Sequence, residues 1–222
     1  MDWTAIGLSL RLALLTVVLL VPAGLLVARW LAWSRFRGRA LVEALFALPL
    51  VLPPTVLGFY LLVVMGGHSP LGRWFEQVAG HTLAFSFTGI LVASLIANLP
   101  FAIQPMQRAF ESIAPEVREA AAVSGLSRWR SFWRIELPLA WPGVLSAMVL
   151  TFAHTLGEFG VVLMVGGSIP GETRTAAISI YDRVQAFDEA GAARMAALLL
   201  AVSMVAISAS YLVSARMGRR RG

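Results

Sequence analysis

A histidine and a carboxylate stand one helical turn apart inside an apolar stretch. They are His154 and Glu158, accompanied by Thr151 and Thr155. A spacing of four puts His154 and Glu158 on one helix face. Charge at bilayer depth is costly, so such residues face a bundle interior or a water-filled cavity. Two roles stay open for His154, a hydrogen-bonded packing residue or a group on a polar pathway. His154-Thr-Leu-Gly-Glu158 is not the H-E-x-x-H zinc arrangement, and no third ligand accompanies it. A second candidate is Pro53, Pro54 and Thr55, closing a run that reads LPLVLPPT from Leu48 and is followed by Gly58. Interior proline removes a helix hydrogen bond and clashes with the preceding turn. In lipid such a break is tolerated only where protein or a cavity covers it, and broken helices near the midplane are typical of transport sites. This segment is therefore a structural kink or a gate. Asn98, Pro100, Gln104 and Pro105 interrupt a later apolar run in a similar way. The third candidate is polar: residues 119 to 138, EAAAVSGLSRWRSFWRIELP, set between long apolar runs.

Other chemistries are closed off. The 222 residues contain no cysteine, which removes disulfides, thiolate metal sites and cysteine nucleophiles. Lysine is also absent, all 18 basic side chains being arginine. A P-loop needs its lysine to hold phosphates, so this chain carries no P-loop ATPase site. Schiff-base and Ser-Lys chemistries fall with it, and no G-x-S-x-G occurs. The composition is 58% hydrophobic and 14% charged, with a mean hydropathy of +0.77. That is the balance of an all-α polytopic membrane protein. The net charge of +6 is read as loop charge at the membrane surface, with no nucleic-acid partner.

Crossing a bilayer takes about 20 mostly apolar residues. Five stretches qualify, at 6–33, 41–65, 82–102, 142–165 and 194–215, within one domain over 1–222 whose core is 6–215. The first lacks a cationic segment before it and is too long for a signal-peptide core, so it is expected to be retained. Arginines gather in alternate links: Arg35, Arg37 and Arg39; then Arg108, Arg118, Arg128, Arg130 and Arg134; then Arg216, Arg219, Arg220 and Arg221. The other links are acidic or nearly neutral, with Asp2, Glu172, Asp182, Asp188 and Glu189. The positive-inside rule places the C-terminus in the cytoplasm and the N-terminus outside. It also places the loop over 106–140 in the cytoplasm. Arg11, near the outer end of the first span, is expected to snorkel.

Within that loop Pro115 suits a first helical turn, and Ala120, Ala121 and Ala122 favour helix. Gly125 suits a left-handed cap and Ser127 an N-cap for a second short helix. There Trp129 and Trp133 share one face, and Arg130 and Arg134 a neighbouring one. This suits a helix at the membrane surface, with Pro138 and Pro142 expected to stop it and restart the chain as the fourth span. On pattern alone it is an ordinary interfacial helix pair or a rigid knob for a partner.

The spacing Glu119-Ala120-Ala121, three residues, Gly125, nine residues, Ile135, one residue, Leu137-Pro138 resembles the EAA signature of membrane subunits of bacterial ABC importers. LPLVLPPTVLG resembles molybdate permease subunits. LGEFGVVLMVGGSIPGETRTAAISIY, from Leu156 to Tyr181, is similar to the stretch shared by molybdate and sulfate permease subunits. Val161-Val162 and Gly166-Gly167-Ser168 depart from that pattern. The resemblance implies a type I ABC importer transmembrane domain with about five transmembrane helices and a cytoplasmic coupling-helix loop, in the bacterial inner membrane. It implies that Glu119, Ala120, Ala121, Gly125, Ile135, Leu137 and Pro138 dock an ATPase. Pro53, Pro54, Thr55, Thr151, His154, Thr155 and Glu158 are expected on the pathway or gate. The implied partners are a second copy of the chain, two ABC ATPase subunits that bind the ATP and Mg, and a periplasmic molybdate-binding protein that touches loops such as 165–181. The chain itself is expected to hold no cofactor or metal. The implied cargo is molybdate, with tungstate alongside. The alternatives are a sulfate or thiosulfate importer subunit and, more remotely, an ATP-independent secondary transporter.

Overall fold

The computed structural model describes residues 1–219, and among them all regular structure is helical. Helix α1, Trp3–Trp33, starts where the Ala5 N–H donates to Asp2 Oδ1 (2.9 Å). Helices α2, Arg39–Val51, and α3, Pro54–Met65, meet at 110°. Two successive prolines explain the break. Each pushes its predecessor out of the helical region, and Leu52 and Pro53 both have ψ of 136°. The stretch expected as one span over 41–65 is thus a bent pair.

Helix α4, Pro70–Ala79, is amphipathic and capped by Ser69. Helices α5, Phe87–Ala97, and α6, Leu99–Glu111, join through Asn98 into one stretch over Phe87–Glu111. It starts later and runs further than the 82–102 expected. Helices α7, Pro115–Val123, and α8, Arg128–Ser131, follow, and a π-helical turn over Phe132–Glu136 leads into α9, Leu137–Gly157. Most of the loop expected over 106–140 is therefore helical.

The expected stop at Pro138 and Pro142 does not occur. Helix runs unbroken from Arg128 to Gly157. In an α-helix the Pro138 ring would press on the carbonyl four residues back and offer it no N–H. The backbone widens instead, and the Leu137 N–H reaches the Phe132 carbonyl, five residues back. The fourth span expected over 142–165 ends early, at Gly157, because Glu158 turns extended. Helix α10, Gly160–Gly166, is a separate short segment. Helix α11, Ala176–Gln185, precedes α12, Glu189–Arg219. Asp188 opens α12. The Gly191 N–H and the Arg183 guanidinium bonded to its carboxylate hold that carboxyl below its usual range. Arg220 and Arg221, expected to mark the cytoplasmic tail, lie outside the described residues.

Among the described residues, four continuous stretches are long and apolar enough to cross a membrane, and the bent pair makes five. Helices α1, α6 and α9 form the main core, around Ala28, Leu31, Ile103, Met106, Phe110, Val144 and Ala147. A second cluster joins α3, α5 and α10 through Leu57, Ala93, Ala97, Val161 and Val165. Lipid supplies no hydrophobic drive between helices, so close backbone approach through small residues does the packing. Gly143 on α9 shows this best. A Cβ there would stand 2.4 Å from Ala109 Cβ and 2.6 Å from the Pro105 carbonyl oxygen on α6.

That contact is against backbone and cannot yield by a rotamer change. Gly143→Ala is expected to cost about 1–3 kcal/mol through overpacking. A melting curve of the purified protein in detergent reads it, and a melting temperature equal to the wild type would show that α6 and α9 are not held this closely.

Candidate functional site

The polar segment forms a knob at one end of the bundle. Helix α7 closes in a Schellman cap: the Leu126 N–H donates to the Ala121 carbonyl (3.1 Å), the Gly125 N–H donates to Ala122 (3.0 Å), and Gly125 has φ of +73°. Ser127 then caps α8. Glu119, Ala120, Val123 and Gly125 face outward, Val123 being 90% exposed, while Ala121 is buried against the bundle. Ile135 and Leu137 are half-buried in the π junction, and Leu137 packs on the main core. Pro138 is exposed at the first turn of α9. The seven residues expected to dock thus separate into an outward tip and a junction behind it.

A clamp to α1 holds the knob. Glu136, 3% exposed, accepts from Arg29 Nε (2.7 Å) and from Ser131 Oγ (3.2 Å). The Arg29 guanidinium also lies over Phe132, and that of Arg118 lies over Trp33 at 3.9 Å. Neither Arg29 nor Glu136 was singled out by the sequence reading. The signal available was an arginine inside the first apolar stretch, which obliges a partner.

A second constellation lies where two helices break. Asn98, at the α5/α6 joint, donates from Nδ2 to Thr155 Oγ1 (3.0 Å), and Thr155 Oγ1 donates to the Thr151 carbonyl (2.8 Å). His154 Nδ1 lies 3.1 Å from Asn98 Oδ1, its ring stacks on Phe101, and its Nε2 is 3.5 Å from Glu158 Oε2. Glu158 is 6% exposed and also accepts the Val161 N–H (2.9 Å), so it caps the start of α10. The four polar residues expected together on the fourth span are together. Asn98, noted in the sequence only as an interruption, joins them.

The two breaks also face each other. A Cβ on Gly160 would meet Pro54 Cβ at 2.7 Å, and one on Gly58 would meet Met164 Cβ at 2.6 Å. Pro53, Pro54 and Thr55 are otherwise exposed in this chain. These residues belong to elements remote from the knob, and the main core separates the two groups. Among the described residues no cluster of three or more His, Cys, Asp or Glu could hold a metal. Arg11 rests over the Phe87 ring at 4.4 Å. The loop between α10 and α11 is tied by Ser168 donating to Asp182 (2.8 Å), Arg174 donating to Ser168 (3.0 Å) and Thr173 donating to the Gly166 carbonyl (2.7 Å).

Comparison with known proteins identifies the family. Residues 20–219 match the family described as "Binding-protein-dependent transport system inner membrane component". The molybdenum transport system permease protein ModB of Azotobacter vinelandii is 48% identical over 95% of this chain and 93% of its own length. The sulfate transport system permease protein CysT of Escherichia coli (strain K12) is 34% identical over 89% of this chain and 71% of its own. A bacterial ABC transporter crystal structure, involved in the import of the acidic polysaccharide alginate, shares the fold with a TM-score of 0.76. It does so at 18% identity, over 96% of this chain and 78% of that one. The chain belongs to the family of binding-protein-dependent transport system inner membrane components.

Proposed function

We propose that this chain is the pore-forming permease subunit of an ATP-driven molybdate importer, with sulfate as the competing cargo class. The observation that carries the choice is the 48% identity to the Azotobacter vinelandii molybdenum permease over nearly the full length of both chains. The sulfate permease is more distant, at 34%. The arginine distribution supports an N-terminus outside and the α7–α8 knob in the cytoplasm.

In this reading two copies form the pore and two ABC ATPases, which bind the ATP and Mg, grip the two knobs. A periplasmic binding protein delivers the dianion to the opposite face, near the tied loop over 167–175. The outward tip of Glu119, Ala120, Val123 and Gly125 seats in the ATPase, and the Glu136 clamp carries its displacement into α1 and α9. The facing breaks at Pro53–Pro54 and Glu158–Gly160 form the gate. They bring no dense cationic cluster to the pathway, so the dianion is passed on and not held, and selectivity rests with the binding protein.

Three outcomes follow. Cells lacking their own molybdate permease regain uptake of radiolabelled molybdate when given this chain with its ATPase and binding protein, and excess sulfate leaves that uptake intact. Inhibition by equimolar sulfate would transfer the chain to the sulfate class. Glu119→Lys, or Gly125→Val, abolishes the coupling of ATP hydrolysis to uptake while the protein still reaches the membrane. A Cβ at Gly125 meets no atom of this chain within 4 Å, so within the chain the cost is that of its left-handed backbone, about 1–2 kcal/mol, and the side chain stands in the surface proposed to seat in the ATPase. Normal uptake by both variants would remove the knob from the mechanism. Glu158→Ala lowers uptake roughly tenfold, the scale of one lost charged hydrogen bond, with assembly of the complex largely retained. Unchanged uptake would reduce Glu158 to packing.

A further inference from the structure

Behind the knob lies a cavity of about 460 Å³, between the end of α1 and helices α7 and α8. Its wall carries Arg29, Arg118 and Arg128 against a single carboxylate, Glu136. Glu136 is already satisfied by Arg29 and Ser131. Arg118 and Arg128 have no carboxylate within ion-pair distance among the described residues, and the Arg118 Nε is buried without a hydrogen-bond acceptor. A buried guanidinium nitrogen left unpaired is expensive, and the missing partner is an acceptor, most favourably an anion. The cavity thus carries an excess of positive charge and open donor capacity.

A tetrahedral oxyanion fits that chemistry, whether free in solution or on a lipid. The surroundings distinguish the two. An adjoining space of about 250 Å³ shares Leu26, Arg29 and Arg128 with the first cavity and is otherwise walled by Trp129 and Phe132. Exposed Trp30, Trp129 and Trp133 surround the region, and Leu26 on α1 is exposed beside it. Indoles with arginines at the end of an apolar span are the composition of a headgroup-level belt. A free oxyanion has no use for an apolar annex. A phosphodiester with glycerol and acyl chains fills both spaces.

We propose that this double cavity binds the phosphate of an anionic phospholipid, with Arg118 and Arg128 as its donors. The lipid would fill the space between α1 and the knob and so stiffen the lever that the proposed ATPase displaces. The site stands whether or not molybdate is the cargo, because it needs only the bilayer.

The test uses the full permease–ATPase complex. It is purified in detergent and offered equimolar phosphatidylglycerol and phosphatidylcholine, and retained lipid is counted by native mass spectrometry. The wild type is expected to prefer phosphatidylglycerol roughly tenfold or more, the scale of two arginines at a charged headgroup. The double variant Arg118→Gln, Arg128→Gln is expected to lose that preference. Should the variant fail to assemble, the wild type still decides: excess inorganic phosphate or molybdate leaves lipid retention unchanged. Equal retention of the two lipids overturns the site, as does an unaltered preference in an assembled double variant. Displacement of the lipid by free oxyanion also overturns it, by making the cavity a soluble-anion site. Retention that appears only in permease stripped of its ATPase overturns it as well, because the ATPase then occupies the space.

Discussion

Everything at the knob end depends on one buried carboxylate. Glu136 sits in the π turn between α8 and α9 and is almost wholly shielded from solvent. Left alone there, its charge would be prohibitive. Losing Arg29 would strand that buried carboxylate, at up to about 3–5 kcal/mol. Arg29 answers it from α1 at a separation of 107 residues, and Ser131 adds a second donor. The pair therefore fixes more than energy. It sets the register between the first span and the polar segment, and it orients the turn from which α7 and α8 project. The same guanidinium covers Phe132, so the apolar and ionic parts of the clamp share one side chain.

The opposite problem arises where helices break inside the apolar layer. Backbone groups freed by a break must find partners within the protein, because lipid offers none. Here Glu158 takes the Val161 N–H, Asn98 takes up the Ser94 carbonyl and the Thr155 hydroxyl, and Thr155 bonds back to Thr151. Glycines at 58 and 160 leave room for the Met164 side chain and the Pro54 ring of the facing segment, so the two broken segments lie close against each other. The result is an irregular polar junction that still leaves the Ser94 and Thr151 hydroxyls buried without a hydrogen-bond partner. Such a junction can rearrange more readily than an apolar helix pair, since each polar group has alternatives nearby.

Local chemistry was the legible part of the sequence. The left-handed cap at Gly125, the N-cap at Ser127 and the shared face of His154 and Glu158 all follow from spacing and side-chain type, and all are present. The double proline at 53 and 54 announced a break, though not its 110° angle, which depends on what α3 packs against. Pro138 misled because a proline has two ways out of a helix. It can end it, or widen the turn before it, and the buried Glu136–Arg29 pair favours the second by fixing that turn. The Arg29–Glu136 contact itself was invisible. Nothing in either neighbourhood specifies a partner so distant in sequence. Asn98 was visible as a residue, but its role requires knowing that α6 and α9 lie side by side.

One element connects the two ends. The helix from Arg128 to Gly157 is 30 residues long, roughly 45 Å at about 1.5 Å per residue. At one end it carries the clamp, and at the other it delivers His154, Thr155 and the break at Glu158. A displacement at the knob cannot be absorbed at Pro138, because the π turn keeps the backbone helical there. Nor does it dissipate where Gly143 lies hard against α6, a contact with no spare space. Motion of the knob must then appear either as a joint shift of α6 and α9 or at the next compliant point, the extended residue Glu158. Both routes lead to Asn98, because it sits at the α5/α6 joint and bonds Thr155 on α9. In the proposed reading, the polar junction is where a displacement carried along α9 would reach the break at Glu158.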